Sequence, residues 1–154
     1  MPPVYSESEA SPKGRTVTGG SQSQSFDLNK KVLVIRRSPV EYYLTGYYEL
    51  PGGKVDFGDD PKQSLEREFV EEVNLKVKAL YPYRVFTYLS DKGNRHTIEL
   101  VYLVQLDDNL KLSKEHDDFK WISLNDICSL KMSCEIKLNI KVGLQEIKKK
   151  GIIL

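Results

Sequence analysis

An α/β (α+β) sandwich of strands and helices is the fold class the sequence predicts. Three features predict it: short continuous apolar runs, two segments with apolar residues at helical spacing, and turn chemistry between them. With 154 residues, 40% of them hydrophobic, the chain has material for one core and too little for two. Lys and Arg number 23 against 22 Asp and Glu, so bulk charge argues for neither nucleic-acid nor membrane binding, and any anion site must be local. Cys128 and Cys134 lack metal-knuckle spacing and read as reduced thiols. No apolar run approaches the roughly 18 residues of a membrane span, and the N-terminus carries no hydrophobic signal core, so the expected location is cytoplasmic.

Residues 1–25 are rich in Ser, Pro and Gly and read as a flexible arm, leaving residues 26–154 as the single domain. Val32, Leu33, Val34 and Ile35, ending at Arg36-Arg37, form the first buried strand. An aromatic loop carrying Tyr42, Tyr43, Tyr47 and Tyr48 leads to a strand end at Glu49-Leu50, and Gly52-Gly53 breaks the backbone after it. Asp60, Pro61 and Gln63 are a helix start: a side-chain acceptor at the N-cap, proline at the first position and a capping-box partner. Leu65, Phe69 and Val73 give that helix its core-facing stripe, and Asn74 suits the left-handed residue that ends it. Strands are predicted over 76–80 and 84–89, with a turn at Asp91-Lys92-Gly93-Asn94 leading to a partner strand over 97–106. Phe119, Lys120, Trp121 and Ile122 form a further strand, Ser123 with Asp126 predicts a capped helix, and Ile136, Ile140, Leu144 and Ile147 mark a C-terminal helix finished by Lys148, Lys149, Lys150 and Gly151.

The chemistry concentrates in Arg67-Glu68-Phe69-Val70-Glu71-Glu72, preceded by Leu50-Pro51-Gly52-Gly53-Lys54. Glutamates at i, i+3 and i+4 share one side of a helix and repel unless a cation sits among them. A hard divalent ion such as Mg²⁺ takes oxygen ligands and leaves positions for water and phosphate, so the cluster points to chemistry on a phosphate chain.

On Gly53, Arg67, Glu68, Phe69, Glu71, Glu72 and Leu75, residues 53–75 resemble the Nudix box, the signature of enzymes that hydrolyse nucleoside diphosphates linked to another moiety. Spacing is kept throughout; Asp59 stands where the family has Glu, and Asn74 where it has Gly. The resemblance implies a Nudix-type mixed sheet between helices. It also implies Glu68, Glu71 and Glu72, with the Gly52 carbonyl, as ligands of Mg²⁺ or Mn²⁺. Arg67 resembles the guanidinium that orients those carboxylates. The reaction implied is displacement by water at one phosphorus of a pyrophosphate. The general base is either a box glutamate (Glu68 or Glu71) or Glu115, which resembles a later loop glutamate; His116 is a weaker alternative and His96 weaker still.

Substrate contacts are expected from Arg36, Arg37, Tyr48, Gly53 and Lys54, the arginines meeting phosphate or base edges and the tyrosine stacking a base. Phe86 and Tyr88 face either the pocket or the core, while Phe119 and Trp121 read as core. The leading reading is a Mg²⁺-dependent hydrolase of a nucleoside triphosphate or related small nucleotide. The alternatives are ADP-ribose, nucleotide-sugar or dinucleoside polyphosphate cleavage, or a non-catalytic nucleotide-binding module signalled by Asp59. Residues 16–25 are poor strand material where the family has its first strand, so that strand lies at an edge or comes from a partner copy, which makes a homodimer a candidate assembly.

Overall fold

Two sheets carry the architecture of this computed structural model, which describes residues 16–25, 31–37, 44–106 and 119–151. The larger sheet contains β1 (Thr16–Ser25), β4 (Gly52–Val55), β5 (Val77–Ser90) and β6 (Arg95–Leu106) in the order β4-β1-β6-β5. The smaller contains β2 (Val32–Arg36), β3 (Tyr48–Glu49) and β7 (Phe119–Ile122) in the order β3-β2-β7. All pairings are antiparallel except β1 with β6, so the larger sheet is mixed, as the fold class requires.

Helices α1 (Pro61–Val73) and α2 (Cys134–Lys150) cover opposite faces. On β6, Val101 and Leu103 pack with Ile136, Ile140, Leu144 and Ile147 of α2. The alternate residues Tyr102 and Val104 pack with Leu65, Phe69 and Val73 of α1. Strand β2 divides the same way, Val32 and Val34 toward α2 and Leu33 toward α1, which is the period-2 alternation of a strand buried on both faces. Phe119 and Trp121 pack against the α1 layer, as expected of core residues.

Helix α1 begins where its cap signals place it. The Asp60 Oδ1 accepts from the backbone N–H of Lys62 at 2.9 Å and of Gln63 at 3.1 Å. Asn74 takes the left-handed conformation, φ 53°, and its N–H donates to the Val70 carbonyl at 2.9 Å.

Five expectations are corrected. The flexible arm does not extend to residue 25, because Thr16–Ser25 is a ten-residue strand. Nor is it an edge strand: it is paired along its whole length with β6 and on its other side with β4, and two ladders compensate for weak intrinsic propensity. The sheet needs no borrowed strand here, and residues 1–15 lie outside the described residues. Gly52-Gly53 does not break the backbone but opens β4, pairing with Gln22 and Ser21. The strands expected over 76–80 and 84–89 are one strand, bent by register shifts at Ala79/Tyr81 and Pro82/Arg84; Pro82 is tolerated because β5 is an edge strand. Ser123 and Asp126 do form a capping box, but on a 3₁₀ turn, Leu124–Cys128.

Removing the α1 cap isolates its contribution from that of the acidic face. Asp60→Ala is expected to lower unfolding free energy by about 1 kcal/mol. Urea denaturation checks this, an unchanged midpoint contradicting it.

Candidate active site

The acidic face of α1 is docked on the glycines that open β4. Glu72 Oε2 accepts from the Gly52 N–H at 3.0 Å. Glu68 lies so close over Gly53 that a β-carbon there would stand 2.5 Å from the Glu68 carboxyl carbon, so any side chain at this position would have to push the carboxyl aside. Burial raises the Glu68 pKa, with the charges of Glu71 and Asp56 adding to the effect and Arg67 opposing it. Glu71, one turn along, is exposed.

Arg67 does not hold the glutamates. Its guanidinium donates to Asp59 Oδ2 at 2.9 Å and stands 3.9 Å from Asp56, because helical side chains lean back toward the N-terminus and reach the loop before the helix. The Ser64 hydroxyl donates to the same Asp59 oxygen at 3.3 Å. The residue that departs from the box pattern is therefore the one Arg67 orients.

Among the described residues no three His, Cys, Asp or Glu side chains converge on one point. The donor set nevertheless fits a hard divalent ion: all its donors are oxygens, two carboxylates lie against a glycine backbone, and the Glu68 pKa is raised, by burial first and by the neighbouring Glu71 charge second.

Beside this helix face lies a cleft of about 320 Å³ over the larger sheet, lined by Gly52, Gly53, Lys54 and Glu72 at one end and by Tyr88, Thr97 and Glu99 at the other. A second cavity of about 400 Å³ adjoins it, sharing Arg37, Glu49 and Tyr88 and adding Phe86, Leu44 and Ile136. Arg37 pairs with Glu49 at 3.2 Å between the two. Glu99 lies on the cleft floor, 9% exposed. Its pKa is pushed up to about 7, by burial first and by Glu49 second, with the Tyr88 hydroxyl bond at 3.3 Å opposing.

Of the residues expected to bind substrate, Arg37, Gly53 and Lys54 line the cleft. Arg36 and Tyr48 line neither cavity. Arg36 is exposed at the end of β2, and the Tyr48 ring packs on the α2-side core beneath the Lys120 ammonium at 4.4 Å, since its strand faces that layer. His96 is exposed on β6. Glu115, His116, Tyr42 and Tyr43 lie outside the described residues. Sequence reasoning missed Glu99, whose signal was a lone acid within the apolar Ile98-Glu99-Leu100-Val101 run.

The family model for the NUDIX domain matches residues 25–140. An 8-oxo-dGTP diphosphatase of Buchnera aphidicola is 32% identical over 100 residues, 65% of this chain and 74% of the relative. The asymmetrical bis(5'-nucleosyl)-tetraphosphatase of Rattus norvegicus is 28% identical, covering 62% of this chain and 68% of the relative. In fold, the crystal structure of a MutT protein from Methanosarcina mazei superposes with a TM-score of 0.71 at 21% identity, over 87% of this chain and 97% of that one. No helix among the described residues is long and apolar enough to cross a membrane.

The raised Glu99 pKa makes stability depend on pH. In the folded chain Glu99 keeps its proton to about 7, whereas the ordinary value is 4.5, so stability falls as pH rises through that window and is level above it. With Arg37, Glu49, Lys54, Glu72 and Arg95 sharing the cleft and solvent screening the charge, the loss is about 1–2 kcal/mol. Glu99→Gln, which does not titrate, is expected to gain that amount over the unsubstituted protein between about pH 5 and about pH 8. Urea denaturation at both values measures the gap; an unchanged gap contradicts the assignment.

Proposed function

The chain belongs to the Nudix family, and from that premise we propose that it is a Mg²⁺-dependent pyrophosphohydrolase acting on a nucleoside triphosphate or a related nucleoside diphosphate derivative. The observation that carries this reading is the seating of Glu68 and Glu72 on the two glycines of β4, at the mouth of a cleft large enough for a small nucleotide. The 8-oxo-dGTP diphosphatase and bis(5'-nucleosyl)-tetraphosphatase relatives, named for small nucleotide substrates, support the same substrate class.

Glu68, Glu71 and Glu72, with the Gly52 carbonyl, would hold the divalent ion, Mg²⁺ by preference and Mn²⁺ as its substitute. When bound, the ion supplies charge neutralisation on the phosphates and a more acidic water. The chain's own residues do the positioning. The Gly52 N–H fixes one carboxylate oxygen of Glu72. Gly53 brings the backbone within reach of phosphate oxygens with no side chain between. Lys54 and Arg37 put an ammonium and a guanidinium on the cleft wall, where the phosphates of an anionic substrate are held. Arg67 fixes the loop before α1 through Asp59, keeping β4 and the helix in register rather than touching substrate. Proton acceptance from the attacking water falls to a carboxylate of the helix or to Glu115, as the resemblance implies.

Glu72→Gln keeps shape and loses a charged ligand, so turnover of a nucleoside triphosphate should drop by about 100-fold with the melting temperature little changed. Chelation should abolish turnover, and Mg²⁺ or Mn²⁺ should restore it. Full activity in chelator, or in Glu72→Gln, contradicts the metal assignment. Product analysis fixes the bond: a nucleoside monophosphate with pyrophosphate is expected from a triphosphate, and no product from any nucleotide, with tight binding retained, would identify a binding module instead.

A further inference from the structure

Glu99 is not needed by the phosphate chemistry, yet the sheet is built around it. Register places Lys54 of β4, Gly20 of β1, Glu99 of β6 and Phe86 of β5 in one row across the larger sheet. Paired residues share a face. A β-carbon on Gly20 would lie 2.6 Å from the Glu99 carboxyl carbon, so glycine there leaves a notch that the carboxyl fills. The Gly-rich composition of β1, otherwise costly in a central strand, thereby acquires a purpose.

Among the described residues no ammonium or guanidinium pairs with Glu99; its partner is the Tyr88 hydroxyl on Oε1. A buried acid without a cation is destabilising, and one set in a cleft is a candidate for a binding role. The ring of Tyr88, 45% exposed, forms an aromatic wall beside it. At the other end of the row the cleft reaches Gly52 and Glu72, so a nucleotide with its phosphates there lays its base toward Glu99.

We propose that Glu99 is a specificity-determining residue whose carboxyl reads the base edge of the substrate, favouring a 2-amino-6-oxopurine. This rests on the nucleotide-hydrolase reading of the same cleft. The chemistry is that of matching donors to acceptors. A carboxylate offers two acceptor oxygens side by side, and guanine-type bases present two adjacent donors, the ring N1–H and the exocyclic amine. Adenine and cytosine alternate donor with acceptor, leaving one carboxylate oxygen facing a lone pair. No bond is made or broken.

The test is equilibrium binding of guanosine and adenosine monophosphates in chelator at about pH 8, where Glu99 is ionised. The two ligands share ribose and phosphate, so their ratio isolates the base. The unsubstituted protein should prefer the guanosine ligand by about tenfold or more, and Glu99→Gln should reduce that preference to about twofold. Tyr88→Phe, which removes the partner hydroxyl and keeps the ring, should lower it partially and covers the case that Glu99→Gln does not fold. Equal affinities in the unsubstituted protein, or a preference unchanged in a folded Glu99→Gln or in Tyr88→Phe, overturns the proposal. Because no turnover is involved, lack of hydrolysis would sink the catalytic reading alone, and a preference independent of Glu99 would sink this one alone.

Discussion

The close approach of a carboxyl to a bare glycine α-carbon is the interaction on which the rest of the structure depends. It occurs twice in the larger sheet, Glu68 over Gly53 and Glu99 over Gly20. A β-carbon at either position would clash with the carboxyl group, so each acid sits where it does because the facing strand residue has no side chain. The first approach, reinforced by the Gly52 N–H on Glu72, ties the acidic face of α1 to β4. The second sets a carboxyl into the floor of the adjoining cleft.

This constraint explains how a helix with an acidic face remains in place. Leu65, Phe69 and Val73 bury one stripe of α1 against Leu33, Tyr102 and Val104, which fixes its height over the sheet. That packing leaves rotation about the helix axis to be settled by the side facing β4, where the glycines admit Glu68 and Glu72 and Arg67 grips Asp59. Apolar burial supplies the stability and polar contacts supply the register, a division expected when buried acids cost free energy that packing must offset.

What the sequence disclosed was local. The N-cap at Asp60, the left-handed Asn74, the stripe of α1 and the apolar face of α2 depend on neighbours within a few turns, and each stands where its residues indicate. Strand β1 was illegible because its Gly, Ser and Gln residues are weak strand formers taken singly, and its two partner strands come from later in the chain. Glu99 was illegible for the same reason: Gly20 and Tyr88, which define its surroundings, are brought to it by pairing and not by spacing. Tyr48 misled because aromatics near a turn suit stacking on a base and packing on a core equally, and β3 faces the core. The departure at Asp59 leaves activity open in the sequence; in the fold its carboxylate is the acceptor for Arg67 and Ser64.

Glycine at the start of β4 is what brings Glu68 and Glu72 to the positions proposed for them as ion ligands. A Mn²⁺ titration followed by electron paramagnetic resonance, in the presence of a non-hydrolysable nucleotide and comparing the unsubstituted protein with Gly53→Ala, tests it most directly. The unsubstituted protein is expected to remove free Mn²⁺ from solution and a folded Gly53→Ala to bind it at least about tenfold more weakly, since the alanine methyl displaces the Glu68 carboxyl. Equal Mn²⁺ affinity in the two proteins would contradict it.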